Sequence, residues 1–252
     1  MKLFDTIQRN LLAITSTIIA IAIWQAVAWA SGLSIQVFPG PVPVVNGFLE
    51  LVQNGTLLEH AISSLYRVTI GFYLAVVLGI PIGVLVGRNR ILKSCFNPII
   101  QFLRPISPLA WIPLAMLWFG IGDQPAIFLI FLSSFFPILV STIIATESIN
   151  PMYFQVASNF KFTRYEILAK IVIPAIIPDI VTSLRITIAI AWLVVVAAEM
   201  IAVQSGLGYL ILDSRNALRM DYVMVGMIVI GWIGLFLDWV MKNFEMVKWK
   251  NC

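Results

Sequence analysis

Six stretches of the chain stay apolar for about 20 residues, the length an α-helix needs to cross a bilayer. They run over roughly 11–30, 66–87, 94–118, 125–146, 175–203 and 222–243. The links between them are short, polar or proline-rich, except for one long polar interval at 147–174. This pattern predicts an all-α membrane protein with six transmembrane helices in a single domain over 1–252. Phe38-Pro-Gly-Pro-Val-Pro43 predicts a rigid, non-helical turn after the first span, because proline lacks an N–H and restricts the residue before it. Residues 44–60 read as a short amphipathic helix that ends near His60, a histidine placed at headgroup level. Within 147–174, Pro151 can open a helix, and Phe154, Ala157, Phe160 and Ile167 recur at helical spacing. A break near Phe162-Thr163 divides that interval into two short helices.

Composition agrees with the spans. Of 252 residues, 60% are hydrophobic and 11% charged, and the mean hydropathy of +0.97 excludes an ordinary soluble domain. Charge placement adds an orientation. With the N-terminus inside, the inner segments hold Lys2, Arg9, Arg88, Arg90, Lys93, Lys161, Arg164, Lys170, Lys242, Lys248 and Lys250, and the outer ones only Arg67, Arg215 and Arg219. That asymmetry places both termini and the 147–174 interval in the cytoplasm. It also accounts for the isoelectric point near 9.2 without any nucleic-acid partner. Lys2, Arg9 and Ala28-Trp-Ala30 give the first span some look of a signal peptide, but its apolar run exceeds the 7–15 residues of such a region, and it is read as a retained helix. Cys95 and Cys252 both fall on the inner side, where thiols stay reduced.

Several residues break the apolar pattern. Span three holds Pro98, Pro105, Pro108 and Pro113, with Arg104 near its middle. Disrupted backbone at membrane depth is tolerated where it is buried or lines a cavity, so Arg104 is either a functional cation or a clamp on the freed carbonyls. In span two, Gly79, Gly83 and Gly87 bare one helix face for close packing, either inside the subunit or against a second copy. Span five carries Arg185, Trp192 and Glu199 at intervals of seven, which drift by only about 20° per step and share a stripe. Arg185 and Glu199 are candidates for a pathway lining or, alternatively, for buried structural pairs. Asp213, Arg215, Arg219 and Asp221 make the richest outer polar patch.

The 147–174 interval resembles the cytoplasmic loop of ATP-binding-cassette importer permeases, of form E-A-A-x3-G-x9-I-x-L-P. Gln155-Val156-Ala157 stands at E-A-A and Lys161 at the glycine, and Ile171-Val-Ile173-Pro174 closes the pattern in register. Phe38-Pro-Gly-Pro, Arg104 through Gly120, Arg185 through Glu199 and Gly206-Leu-Gly208 resemble the nitrate, sulfonate, taurine and bicarbonate group of these permeases. The resemblance implies a type I importer fold in a bacterial inner membrane, with a coupling helix at about 150–166 that seats in a separate ATPase subunit. Gln155, Ala157, Lys161, Arg164, Ile171 and Pro174 would form that coupling surface. A substrate-binding protein would dock on the outer side at Asp213, Arg215, Arg219 and Asp221. A small anion would cross between two copies of the chain past Arg104, Arg185, Trp192 and Glu199. No GxxxxGK[ST] phosphate loop occurs in the sequence, so ATP–Mg would belong to the partner ATPases. This chain would then be a non-catalytic subunit needing no cofactor of its own. An ion-gradient-driven secondary transporter is the alternative, but it calls for an internal repeat that the sequence lacks. An intramembrane enzyme would need more than the one histidine, His60.

Overall fold

The computed structural model describes residues 2–34 and 36–249; Lys250 and Cys252 lie outside them. Every regular element among the described residues is helical. The order is α1 (Lys2–Ala30), α2 (Pro41–Gln53), α3 (Thr56–Arg88), α4 (Arg90–Leu103), a 3₁₀ turn (Pro108–Trp111), α5 (Ile112–Phe119), α6 (Asp123–Glu147), α7 (Pro151–Asn159), α8 (Arg164–Ile167), a π turn (Leu168–Val172), α9 (Ile173–Ala202), α10 (Leu207–Asn216) and α11 (Met220–Trp249). Among the described residues, four stretches are long and apolar enough to cross a membrane: α3, α6, the continuous segment Arg164–Ala202, and α11 over Met220–Asn243.

The third expected span is not one rod. α4 and the segment Pro108–Phe119 meet at 86°, because prolines 105, 108 and 113 withhold backbone donors across the join. Counted as one broken span, the pair brings the total to five. Within the 29-residue α1, Thr15–Ala30 is a further apolar helical segment. A second correction concerns residues 44–60. The helix there ends at Gln53, Gly55 takes a positive φ of 77°, and α3 starts at Thr56, so His60 lies in the first turns of the long helix.

The chain forms two compact units. One gathers the chain up to His60 with Leu210–Val229; the other gathers Ala61–Tyr209 with the segment from Ile230 onward. In the first, the Trp24 indole N–H donates to the Pro39 carbonyl at 3.2 Å, fixing the proline turn on α1. The second is built on α6, which packs along α9 and receives the glycine face of α3. A Cβ at Gly71 would meet Ile130 at 2.7 Å, and one at Gly83 would meet Thr142 at 2.6 Å. The small-residue stripe is thus spent inside the subunit. Two apolar clusters anchor the ends of this bundle: Val84, Ala145, Ile149, Val172 and Ile176 at one, and Ile112, Ala126, Leu129, Ala198 and Ala202 at the other. The hydroxyls of Ser133, Thr142 and Thr146 donate to carbonyls of their own helix at 2.7–2.8 Å, which removes their polar cost in an apolar setting.

Candidate functional site

The polar interval folds as two short helices joined at a tight turn. Asn150 caps α7 by accepting from the Met152 N–H at 2.9 Å. α7 ends in a Schellman turn, in which Phe162 N–H donates to Ala157 O and Lys161 N–H to Ser158 O, both at 3.0 Å. Lys161 takes φ 54°, the left-handed conformation that glycine adopts without cost. The turn therefore keeps the geometry of the glycine pattern with a lysine in place. Thr163 and Glu166 then form a capping box that starts α8, and Lys170 pairs with Glu166 at 3.0 Å.

Burial within this pair is sharply divided. Ala157 is 1% exposed, so only a small side chain fits there. Phe160 and Tyr165 are 72% and 78% exposed, and Met152, Tyr153 and Val156 also face outward. Gln155, Lys161 and Arg164 border that apolar face. Ile171 lies in the π turn and Pro174 in the first turn of α9, so both belong to the link between the pair and the long helix rather than to the exposed face.

Within the bundle the α9 stripe faces other helices of the same chain. Arg185 grips Asp238 of α11 in a two-pronged ion pair, Nε to Oδ1 at 2.8 Å and Nη2 to Oδ2 at 3.1 Å. Trp192 is buried, donates its indole N–H to the Ile230 carbonyl at 3.0 Å, and lies against Gly234. Glu199 is 0% exposed and accepts from Arg67 at 2.6 Å, Ser64 at 2.9 Å and the Gly208 N–H at 3.0 Å. Arg67, only 2% exposed, also pairs with Asp123 at 2.7 Å and bonds Ser205 through both its carbonyl and its hydroxyl. Gly206 has φ 101° and no room for a Cβ beside the Glu199 carboxylate. Gly206-Leu-Gly208 is thus the seat of a buried charge network. Arg104 differs: it lies at the α4 end of the break, exposed and lining a cavity; its backbone N–H donates to the Ile100 carbonyl at 2.9 Å, but its side chain has neither hydrogen bond nor ion pair among the described residues.

The polar patch of the other unit also divides. Asp213 and Arg215 are exposed, and among the described residues the Arg215 side chain reaches its neighbour Asn216, at 3.4 Å. Arg219 is committed to Glu50 of α2 and to Asp221, each at 2.9 Å, and its guanidinium stacks 3.8 Å from the Tyr222 ring centroid. A hydrogen bond from Tyr222, then one from Arg219, holds the Glu50 carboxyl below its usual pKa. Bonds to Asp221 and Glu50 push the Arg219 pKa up.

Sequence reasoning missed Arg67, Asp123 and Asp238. The charge pattern assigns Arg67 to the outer side because the apolar run begins near it, whereas the helix starts a full three turns earlier. Asp238, an acid inside an apolar run, carried a usable signal: it is the opposite charge that an intramembrane Arg185 requires.

Residues 79–246 match the family described as binding-protein-dependent transport system inner membrane component. The chain belongs to that family. The permease is 40% identical over 239 residues to a putative ABC transporter permease protein of Methanocaldococcus jannaschii, covering 93% of this chain and 89% of the relative. It is 35% identical over 235 residues to a putative aliphatic sulfonates transport permease of Bacillus subtilis, covering 92% and 85%. Its fold is similar to that of a chain of the MetNI methionine ABC transporter, a structure solved in inward-facing conformations, with a TM-score of 0.65 at 17% identity over 73% of this chain and 92% of that one. The all-helical permease fold agrees with the expectation drawn from hydropathy, while four apolar spans, or five with the broken pair, stand among the described residues against the six expected.

Proposed function

We propose that this permease passes a small anion, delivered by a substrate-binding protein, across a bacterial inner membrane, powered by separate ATPase subunits. Both termini and the α7–α8 pair lie in the cytoplasm in this reading. The observation that carries it is the α7–α8 pair itself. Its exposed apolar face, with Met152, Tyr153, Phe160 and Tyr165, has a fixed turn on one side and a direct connection to α9 on the other. An exposed apolar face rimmed by Gln155, Lys161 and Arg164 suits a protein groove better than water. Movement imposed there reaches α9 through the π turn and Pro174.

Two copies of the chain would enclose the passage, each contributing Arg104 at its broken span, while Trp192 and Glu199 of the α9 stripe stay buried against helices of their own chain and Arg185 stays paired with Asp238. Asp213 and Arg215 are the free members of the docking patch for the binding protein; Arg219 and Asp221 brace it from behind. The anion itself is inferred from the basic intramembrane residues and from the sulfonate relative. The test is reconstitution of the chain with its ATPase and binding protein in liposomes. Ligand-stimulated ATP hydrolysis coupled to uptake is expected. Uptake by the chain alone, driven by an ion gradient without ATP, would overturn the reading.

A further inference from the structure

The bundle has a cavity of about 200 Å³ at the break between α4 and α5, and its composition is uneven. Arg104 and Ser133 are its polar lining residues; the rest, including Trp111, Phe136, Ile190 and Val194, are apolar. The Ser133 hydroxyl proton is already committed to the Ile130 carbonyl at 2.8 Å. Arg104 is therefore the side chain whose charge the cavity has to offer, with no counter-ion among the described residues. Ser133 lies about 15 Å along α6 from its start at Asp123, at a rise of about 1.5 Å per residue, which puts the cavity near the middle of the span. The second intramembrane arginine differs in kind, because Asp238 neutralises Arg185.

A lone cation at mid-membrane depth is costly unless something answers it. A guanidinium beside aromatic and aliphatic walls answers best to a ligand with an anionic head and a short apolar body. A strongly hydrated inorganic oxyanion would leave those walls unused. A volume of about 200 Å³ limits such a ligand to a small one. Resting on the proposed function, we infer that this cavity is a transient binding site for a small organic anion, with Arg104 holding the acidic head and Trp111, Phe136, Ile190 and Val194 holding the hydrocarbon.

The experiment is equilibrium binding of methane-, ethane-, propane- and butanesulfonate, with nitrate for comparison, to the purified permease–ATPase complex without its binding protein. Each buried methylene should tighten binding about fourfold until the cavity fills, and nitrate should bind more weakly than ethanesulfonate. Arg104→Gln should weaken all sulfonates at least tenfold, with Arg104→Lys in between. Val194→Trp, which fills the cavity without touching the charge, should remove the chain-length dependence, so the result does not depend on Arg104→Gln folding well. A flat chain-length series, or nitrate binding as well as butanesulfonate, would overturn the inference. In a complex that still couples uptake to ATP, that outcome leaves the proposed function standing. Failure of the unmodified complex to couple ATP hydrolysis to any uptake removes the proposed function itself.

Discussion

At the scale of single residues, Lys161 shows how a pattern can survive a mismatched residue. The family form has glycine where this chain has lysine, and the backbone still adopts φ 54°. The two Schellman hydrogen bonds and the buried Ala157 hold the turn while lysine bears the steric cost, about 1 kcal/mol for a non-glycine residue in that region. Lys161→Gly should relieve that cost and increase hydrogen-exchange protection of the Phe162 amide about fivefold. Lys161→Val, β-branched and worse suited to positive φ, should reduce it. An unchanged exchange rate in Lys161→Gly would show that the turn carries no strain. The sequence allowed the position to be read but not the outcome, since a costly turn and a rebuilt turn are equally compatible with the letters Asn-Phe-Lys-Phe.

At the scale of elements, the long uninterrupted apolar runs at α3, α6, α9 and α11 were legible because each has the length a crossing requires. The third was not, because a hydropathy sum has no direction: it counts α4 and α5 together although they meet at 86°. Its prolines marked the break, but the angle depends on packing against α6 and α9. The α7–α8 pair was legible from spacing, and its exposed face makes a separable prediction. Phe160→Asp and Tyr165→Asp should leave the thermal stability of the purified chain unchanged, since both side chains face outward, and should cut ATPase co-purification at least tenfold. Equal losses of stability and of ATPase binding would assign those side chains to the fold instead. The Glu50–Arg219 pair on α2 gives a pH effect. Because the folded-state pKa of Glu50 is lowered, its contribution is present above the ordinary carboxylate value, about 4.3. It is lost as pH falls through the lower folded value. Acid titration of the intact chain should loosen the α2 contact below about pH 4, measured by hydrogen exchange in Pro41–Gln53, and Glu50→Gln should abolish the pH dependence while lowering protection at neutral pH.

At the scale of the whole molecule, the span arginines among the described residues differ in how they are answered: Arg67 is met by Glu199 and Asp123, Arg185 by Asp238, and the Arg104 side chain by no counter-ion. Reading the sequence grouped Arg104 with Arg185 because both are arginines inside spans; the fold separates them, because the partner of Arg185 is more than fifty residues away along the chain. The sequence could name Arg185 as exceptional but could not choose among the acids able to meet it. If Arg185 and Asp238 act as a neutral brace between α9 and α11, the energetics of an unpaired charge decide what mutation does. Arg185→Met leaves a carboxylate facing an apolar setting, and Asp238→Leu leaves a guanidinium there. Each single change leaves one ionised group unanswered at membrane depth and should lower both the amount of chain in the membrane and its transport. The double variant removes both charges at once, and replacing a paired set by apolar side chains of similar volume is often close to neutral. It should therefore recover most of the lost protein and, with it, most of the uptake. Recovery of protein without recovery of uptake would place the Arg185 charge in the passage beside Arg104, and failure to recover either would show that the pair specifies the packing of α9 on α11 beyond its charge balance.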